Sequence, residues 1–125
     1  MSFKIEIDRN SQMVILRVSG REELDKHRQI CDRAVQECFD NGFKRLLTDL
    51  RNLDTSNITS FEAGVEFGDF FAHDERLNDV KIAQILPTEA LAHIDIDFSA
   101  SIAEIKGKTM GRFKTIEGAI SWLKE

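Results

Sequence analysis

A short apolar run near the middle of the chain most constrains the fold. Residues 44–50 are Lys-Arg-Leu-Leu-Thr-Asp-Leu, and a polar stretch, 51–57, follows them. An apolar run bounded by charged and turn-forming residues is typical of a strand buried on both faces of a sheet. The sequence therefore predicts a central strand at 44–50 and its exit loop at 51–57.

The candidate site residues at this strand exit are Asp49, Arg51 and Asp54. In open α/β sheets, ligands bind beyond the carboxyl ends of such strands. Asp49 and Asp54 can form a carboxylate pair for acid–base chemistry, but an acid in this place more often caps backbone amides. Arg51 is the natural ion-pair partner, and we favour binding over catalysis here.

The N-terminal half is predicted to be a hairpin followed by a crossover helix. Residues 3–8 alternate between apolar and polar, whereas 12–18 are nearly continuous in apolar residues, so the second strand should lie further inside the sheet. Helical spacing extends over 22–39, and Asn41-Gly42 closes that helix. A strand–helix–strand connection is right-handed, so the third strand should run parallel to the second.

The C-terminal half continues this alternation. A helix is predicted from a cap at Thr59 to His73, followed by a strand at 79–86. A further helix is predicted at 88–106, where an alternating pattern at 93–97 can interrupt it. A strand at 109–113 and a helix capped by Thr115 end the chain. The chain is thus expected to be one α/β domain over 1–125. Its mixed five-stranded sheet would have an antiparallel N-terminal hairpin, then parallel strands, and about four helices.

Composition excludes several classes of function. The 125 residues include 17 basic and 22 acidic side chains, giving a formal charge of -5 without a basic stripe, so we expect no nucleic-acid partner. No apolar run approaches the ~20 residues of a transmembrane segment. The start lacks the pattern of a secretory signal, and we expect a cytoplasmic protein. Cys31 and Cys38 lie ~10 Å apart along a helix and are predicted to be reduced, buried thiols.

The helix at 59–73 is unusually rich in phenylalanine. Phe61, Phe67, Phe70 and Phe71 span more than one helix face, so some of them should be partly exposed. A surplus apolar stripe is typical of a homodimer interface, an apolar ligand pocket or a membrane contact, which we favour in that order. Gly64 and Gly68 would let a partner's backbone approach this helix, with Phe67 and Phe71 beside them.

A second apolar segment contains Ile94 and Phe98. Together with the phenylalanine-rich helix, it can hold an apolar small molecule or lipid beneath a mobile lid. The alternative is that these residues complete the core. Binding of such a ligand is expected to be reversible.

Sequence signatures of catalysis are missing. The chain has no Gly-x-Ser-x-Gly elbow, Walker loop or Gly-x-Gly-x-x-Gly fingerprint. The segments His73-Asp74-Glu75 and His93-x-Asp95-x-Asp97 contain metal-ligand residue types, but neither spacing is diagnostic. We therefore predict no metal site, no cofactor and no enzymatic activity.

Three segments resemble a known family. The apolar strand ending in Asp-Leu at 46–53, the basic-start strand at 81–86, and the closing Phe…Ala-Ile-Ser-Trp-Leu pattern at 111–123 are similar to SpoIIAA-like STAS domains. This group is related to bacterial anti-sigma-factor antagonists and to the CRAL-TRIO lipid-transfer fold. The resemblance implies a non-enzymatic binding or regulatory domain that takes an apolar small ligand or a protein partner.

The same resemblance implies a candidate phosphorylation site. Sporulation antagonists carry Asp-Ser-Ser-Gly after the central strand, and the nearest match here is Asp54-Thr55-Ser56-Asn57, which puts Ser56 at the acceptor position. Asparagine stands where the family has glycine, and the spacing from Asp49 is shorter. The alternatives to a binding domain are thus a phosphorylation-regulated antagonist-like protein or a small enzyme using Asp49 and Asp54. For Ser56 itself the alternative is a helix cap, a role that Thr59 can also fill.

Overall fold

A five-stranded mixed sheet with strand order β1-β2-β3-β4-β5 forms the centre of the protein. The computed structural model describes residues 1–58, 60–87, 104 and 107–125. Its strands are β1 (Ser2–Asp8), β2 (Met13–Arg21), β3 (Arg45–Asp54), β4 (Lys81–Ile85) and β5 (Thr109–Phe113). Its helices are α1 (Leu24–Asn41), α2 (Ser60–His73) and α3 (Ile116–Leu123), with a 3-10 turn at Glu75–Leu77.

The predicted α/β class and strand directions are confirmed. β1 pairs antiparallel with β2, and the pairs β2–β3, β3–β4 and β4–β5 are parallel. The helix predicted at 88–106, with its break at 93–97, lies outside the described residues. The count of about four helices therefore stays a prediction.

The core lies on both faces of the sheet because strand side chains alternate. On β2, Val14 and Leu16 face the cluster that contains buried residues of α1 and α2, whereas Met13 and Ile15 face the cluster that contains Ala119 of α3. This explains why the second strand is nearly continuous in apolar residues. β1 lies at the sheet edge, as its alternating pattern predicted.

The start of α1 differs from the prediction. The helix begins at Leu24 instead of Glu22, because the Glu22 N–H donates to the Asp54 carbonyl oxygen over 2.8 Å and so extends the β2–β3 pairing. The predicted end is confirmed: Gly42 has a φ of +67°, the left-handed conformation that helix ends favour.

The end of β3 also differs from the prediction. The strand continues to Asp54, so 51–54 belong to the sheet and the loop begins at Thr55. The cause is an irregularity opposite β2, where Arg17 pairs with Asp49 but Ser19 pairs with Asn52. One extra residue in β3 interrupts the two-residue alternation. Because of it, Leu50 and Leu53 lie in the same core cluster although they are three residues apart.

Helix α3 covers the second face of the sheet and matches its prediction. The Thr115 hydroxyl accepts a hydrogen bond from the Gly118 N–H at 3.1 Å, and Ala119 and Leu123 are buried. Arg45 secures the end of this helix, donating from Nε to the Leu123 carbonyl oxygen at 2.9 Å.

Both cysteines are free and buried, as predicted. Burial raises the pKa of the Cys38 thiol to about 12, with a smaller contribution from the charge of Glu37. Within the described residues, no helix has the length and apolar character needed to cross a membrane.

Candidate functional site

The turn that follows β3 is held by the Asp54 side chain. Asp54 Oδ1 accepts the Ser56 N–H at 2.9 Å, and Ser56 itself is exposed. Hydrogen bonds from the Ser56 side chain, and then from its backbone, lower the pKa of the Asp54 carboxyl. Asp54 therefore caps a backbone amide in an Asx turn, the role that the sequence favoured.

Ser56 does not cap helix α2. The helix begins at Ser60, four residues further along, so the capping role predicted for Ser56 is wrong. Thr59, the other predicted cap, lies outside the described residues. Ser56 thus remains an exposed hydroxyl in the turn.

This turn is attached to the end of β2. The Asn57 side-chain amide donates to the Glu22 carbonyl oxygen at 3.0 Å, in addition to the backbone bond between Glu22 and Asp54. The carboxyl ends of β2 and β3 are therefore joined through Glu22. The Glu22 side chain points into the protein interior.

A buried acid–base pair lies beneath this junction. His27 Nδ1 is 2.8 Å from Glu22 Oε2 and 3.0 Å from Glu22 Oε1, and both residues are buried. The Phe67 ring of α2 lies against the imidazole, with 4.5 Å between the ring centroids. Cys31 is one helical turn beyond His27 on α1 and is also buried.

The environment of His27 favours the imidazolium. Burial by itself lowers the pKa of His27, but the interactions with Cys31 and with the Glu22 carboxylate outweigh it and raise the pKa to about 10. A charged histidine hydrogen-bonded to a carboxylate joins α1 to the end of β2. We interpret the pair as a fixed support for the turn after β3.

Sequence reasoning missed Glu22 and His27 as a pair. The available signal was His27 itself, which lies three residues after Leu24 and three before Ile30, on the apolar stripe of α1. A polar side chain on a buried stripe needs a partner. Glu22, just before the helix, was the nearest acid able to fold back onto it.

On the opposite sheet face, Asp49 is held by two arginines. Arg51 donates to both Asp49 carboxylate oxygens, at 2.9 Å and 2.7 Å, and Arg17 Nε lies 3.8 Å from Oδ2. Burial would raise the pKa of Asp49, but the hydrogen bonds and charge of Arg51, helped by Arg17, lower it. The predicted ion pair between Asp49 and Arg51 is confirmed.

Asp49 and Asp54 are hydrogen-bonded to different residues. Asp49 is bound by Arg51 and Asp54 by Ser56, and five residues of extended strand place their Cα atoms about 16 Å apart. They do not form the carboxylate pair considered above. All three predicted exit-loop residues, Asp49, Arg51 and Asp54, lie within β3.

The phenylalanines of α2 divide into a buried and an exposed group. Phe67 and Phe71 are core residues, Phe70 is half-buried against the same cluster, and Phe61 is 71% exposed. Val65, one turn beyond Phe61, is 39% exposed. The prediction that Phe67 and Phe71 flank a partner is therefore wrong, because the core of the chain already covers them. Gly68 between them is buried as well.

The exposed residues define a surface that we call the α2 apolar patch, made of Phe61 and Val65. It follows the Asp54–Ile58 turn directly in the chain. Glu66, the next residue, is anchored to α1 by a 3.0 Å ion pair with Arg28. The predicted second apolar segment, with Ile94 and Phe98, lies outside the described residues, as do His93, Asp95 and Asp97.

Two surface clefts flank the half-buried Phe70. One, of about 540 Å³, is lined by Asp69, His73, Asp74, Glu75 and Arg76 as well as Phe70; the other, of about 430 Å³, by Arg28, Gln29, Asp32, Arg33 and Phe70. Most of the residues that line them are charged. Phe70 therefore lies among charged residues, unlike the α2 apolar patch.

The chain matches no protein-family model and no curated protein.

Proposed function

We propose that this protein is a non-enzymatic binding or regulatory domain of the SpoIIAA-like STAS type. Its contact surface would be the turn at Asp54–Ile58 together with the α2 apolar patch. The observation that carries the proposal is the exposure of Phe61, a large aromatic side chain that is 71% accessible at the carboxyl-end side of the central strand. A protein partner or an apolar small ligand would cover it.

The surroundings of the patch support a binding role. The turn before it is fixed through Asp54 and Asn57, and helix α2 is fixed through Phe67 and Phe71 in the core. An exposed aromatic side chain on a rigid support loses little conformational freedom on binding. Exposure on a helix surface favours a protein partner over an enclosed small molecule.

Native mass spectrometry of freshly purified protein tests this proposal. We expect a bound mass in the wild type that is lost from Phe61→Ser/Val65→Ser. Phe39→Ser is the matched control, because Phe39 is 60% exposed but lies at the far end of α1. A bound mass of a few hundred daltons would indicate a lipid-like ligand, and a larger one a protein. The same bound mass in all three proteins, other than the mass of a second copy of this chain, or no bound mass in the wild type, would contradict the proposal.

A second candidate function is regulation by phosphorylation of Ser56. The observation that favours it is an exposed hydroxyl, in a turn that precedes α2, with no capping role. A phosphate there would repel the Asp54 carboxylate that now holds the turn, and so would release it. Peptide mass spectrometry of protein from its own cells is the test: phosphate on Ser56 supports this candidate, and phosphate confined to other positions removes it.

The catalytic alternative based on Asp49 and Asp54 has less support. Each carboxylate is engaged by its own neighbour, and Asp49 has a pKa below its ordinary value, so it is a poor proton donor. We therefore retain the binding domain as the proposed function.

A further inference from the structure

The outer side of β1 is a regular sheet edge. β1 is the terminal strand of the sheet and has seven residues. It pairs with β2 from Ser2 to Asp8 without a register shift, so no bulge distorts it. Among the described residues, no strand pairs with its other side. A regular edge of this length is a template for another strand, and proteins usually block such edges with bulges, short strands or charged side chains.

The two faces of β1 have different chemistry. Phe3, Ile5 and Ile7 pack at the margin of the α1-side core and are only partly buried. On the opposite face, Lys4 is exposed, and Glu6 is about one-third exposed. Lys4 Nζ lies 3.2 Å from Glu6 Oε1 within the chain, so the two charges form an accessible pair of opposite sign.

Only a few registers allow β1 of one copy to pair with β1 of a second copy. In an antiparallel pair related by a two-fold axis normal to the sheet, directly opposite residues share one face, so the axis must lie midway between one residue and its own copy. A centre at Lys4 places two lysines opposite each other, and a centre at Glu6 places two glutamates opposite each other. A centre at Ile5 places Lys4 opposite the partner's Glu6 twice, and pairs all seven residues.

The apolar face agrees with the same register. With the axis at Ile5, Phe3 lies opposite Ile7 of the partner subunit, and Ile5 lies opposite its own copy. Directly opposed apolar side chains on one sheet face stabilise a strand pair. The partly buried margin of the α1-side core would then continue into the second copy.

We infer that two copies of this chain join along β1, antiparallel and centred on Ile5, so that their sheets continue into one. The partner is a second copy because the charge pattern of β1 is complementary to itself about this residue. The interface is small and relies on strand pairing, so association is reversible and depends on concentration. This surface is separate from the α2 apolar patch.

Charge reversal tests the inference directly. Lys4→Glu places like charges opposite each other at both symmetric positions, and so does Glu6→Lys. Each variant should weaken self-association roughly tenfold or more relative to the wild type. Sedimentation equilibrium at micromolar concentrations measures the change. The double variant Lys4→Glu/Glu6→Lys restores opposite charges and should recover the wild-type association.

Mixing the two single variants provides the sharpest control. One chain then carries two acids on this face of β1 and the other carries two bases, so a mixed dimer should form more tightly than either single variant self-associates. Far-ultraviolet circular dichroism and a thermal melt of each variant verify folding, since Glu6 also pairs with Arg17.

Three outcomes would overturn the inference. They are a wild-type protein that stays monomeric at these concentrations, folded single variants that associate as the wild type does, and an association that is lost in Phe61→Ser but kept in Lys4→Glu. The last result would move the interface to the α2 apolar patch.

Discussion

His27 Nδ1 lies 2.8 Å from a carboxylate oxygen of Glu22, and both side chains are buried. The pair joins helix α1 to the end of β2, directly below the turn at Asp54–Ile58. Because the turn is also bonded to Glu22 through Asn57, the geometry of the proposed contact surface depends on this buried pair.

The first prediction concerns pH. His27 has a folded pKa of about 10, above its ordinary value of 6.5, so its contribution to stability is complete below pH 6.5 and declines as pH rises towards 10. The free energy of unfolding should therefore fall over this range. Urea denaturation at a series of pH values measures it. His27→Gln should flatten this dependence of the unfolding free energy on pH, whereas Gln29→Ala, at an exposed uncharged residue of the same helix, should leave it unchanged.

The second prediction concerns the carboxylate of the same pair. Glu22→Gln leaves a buried imidazolium without its counter-charge and should lower the free energy of unfolding by about 3–5 kcal/mol at neutral pH. Glu23→Gln, at the exposed neighbour, should cost no more than about 1 kcal/mol. Equal effects of the two substitutions would show that the buried pair has no special role.

The pairing of His27 with Glu22 could not be predicted from the sequence pattern. Spacing placed Leu24, Ile30 and Cys31 on the buried face of α1, and the structure agrees for Ile30 and Cys31. Periodicity says nothing about which acid folds back onto His27, because that depends on the backbone bond between Glu22 and Asp54. The strand order was predictable because short connections allow few topologies.

The third prediction concerns Asp49. Its pKa is lowered, so its interactions with Arg51 and Arg17 stabilise the fold above pH 3.8, and this contribution is lost as pH falls through the folded pKa. Asp49→Asn should cost about 1–3 kcal/mol at neutral pH, and the difference from wild type should shrink in acid. Asp40→Asn, at an exposed position on α1, should change stability by less than about 0.5 kcal/mol.

The end of β3 was mispredicted for a physical reason. A strand is recognised by its two-residue alternation, and the extra residue near Leu50 and Arg51 breaks it. The polar residues that follow therefore resembled a loop. Only the pairing with β2, which a single strand does not encode, keeps them in the sheet.

The fourth prediction separates core from surface on α2. Phe67→Ala and Phe71→Ala remove buried rings and should each cost about 3–5 kcal/mol of unfolding free energy. Phe61→Ser should change it by less than about 0.5 kcal/mol, since its ring is mostly in solvent. Urea denaturation compares the three. A large loss for Phe61→Ser would mean that its ring is part of the core.

For the phenylalanine-rich helix, the sequence predicted partial exposure but not which rings are exposed. The sequence predicted that its four rings span more than one face and that some are exposed, and both are confirmed by Phe61. It did not identify which rings are buried, because that depends on how α2 is rotated against β3 and α1. Phe67 faces inward, where it meets His27.

The most direct test of the proposed contact surface is site-specific photo-crosslinking within the cells that make the protein. A photoreactive phenylalanine analogue replaces Phe61 in one sample and Phe39, which is similarly exposed, in the other. We predict a discrete crosslinked species from position 61 that is absent from position 39. The same products from both positions, or none from position 61, would contradict a binding role for the α2 apolar patch.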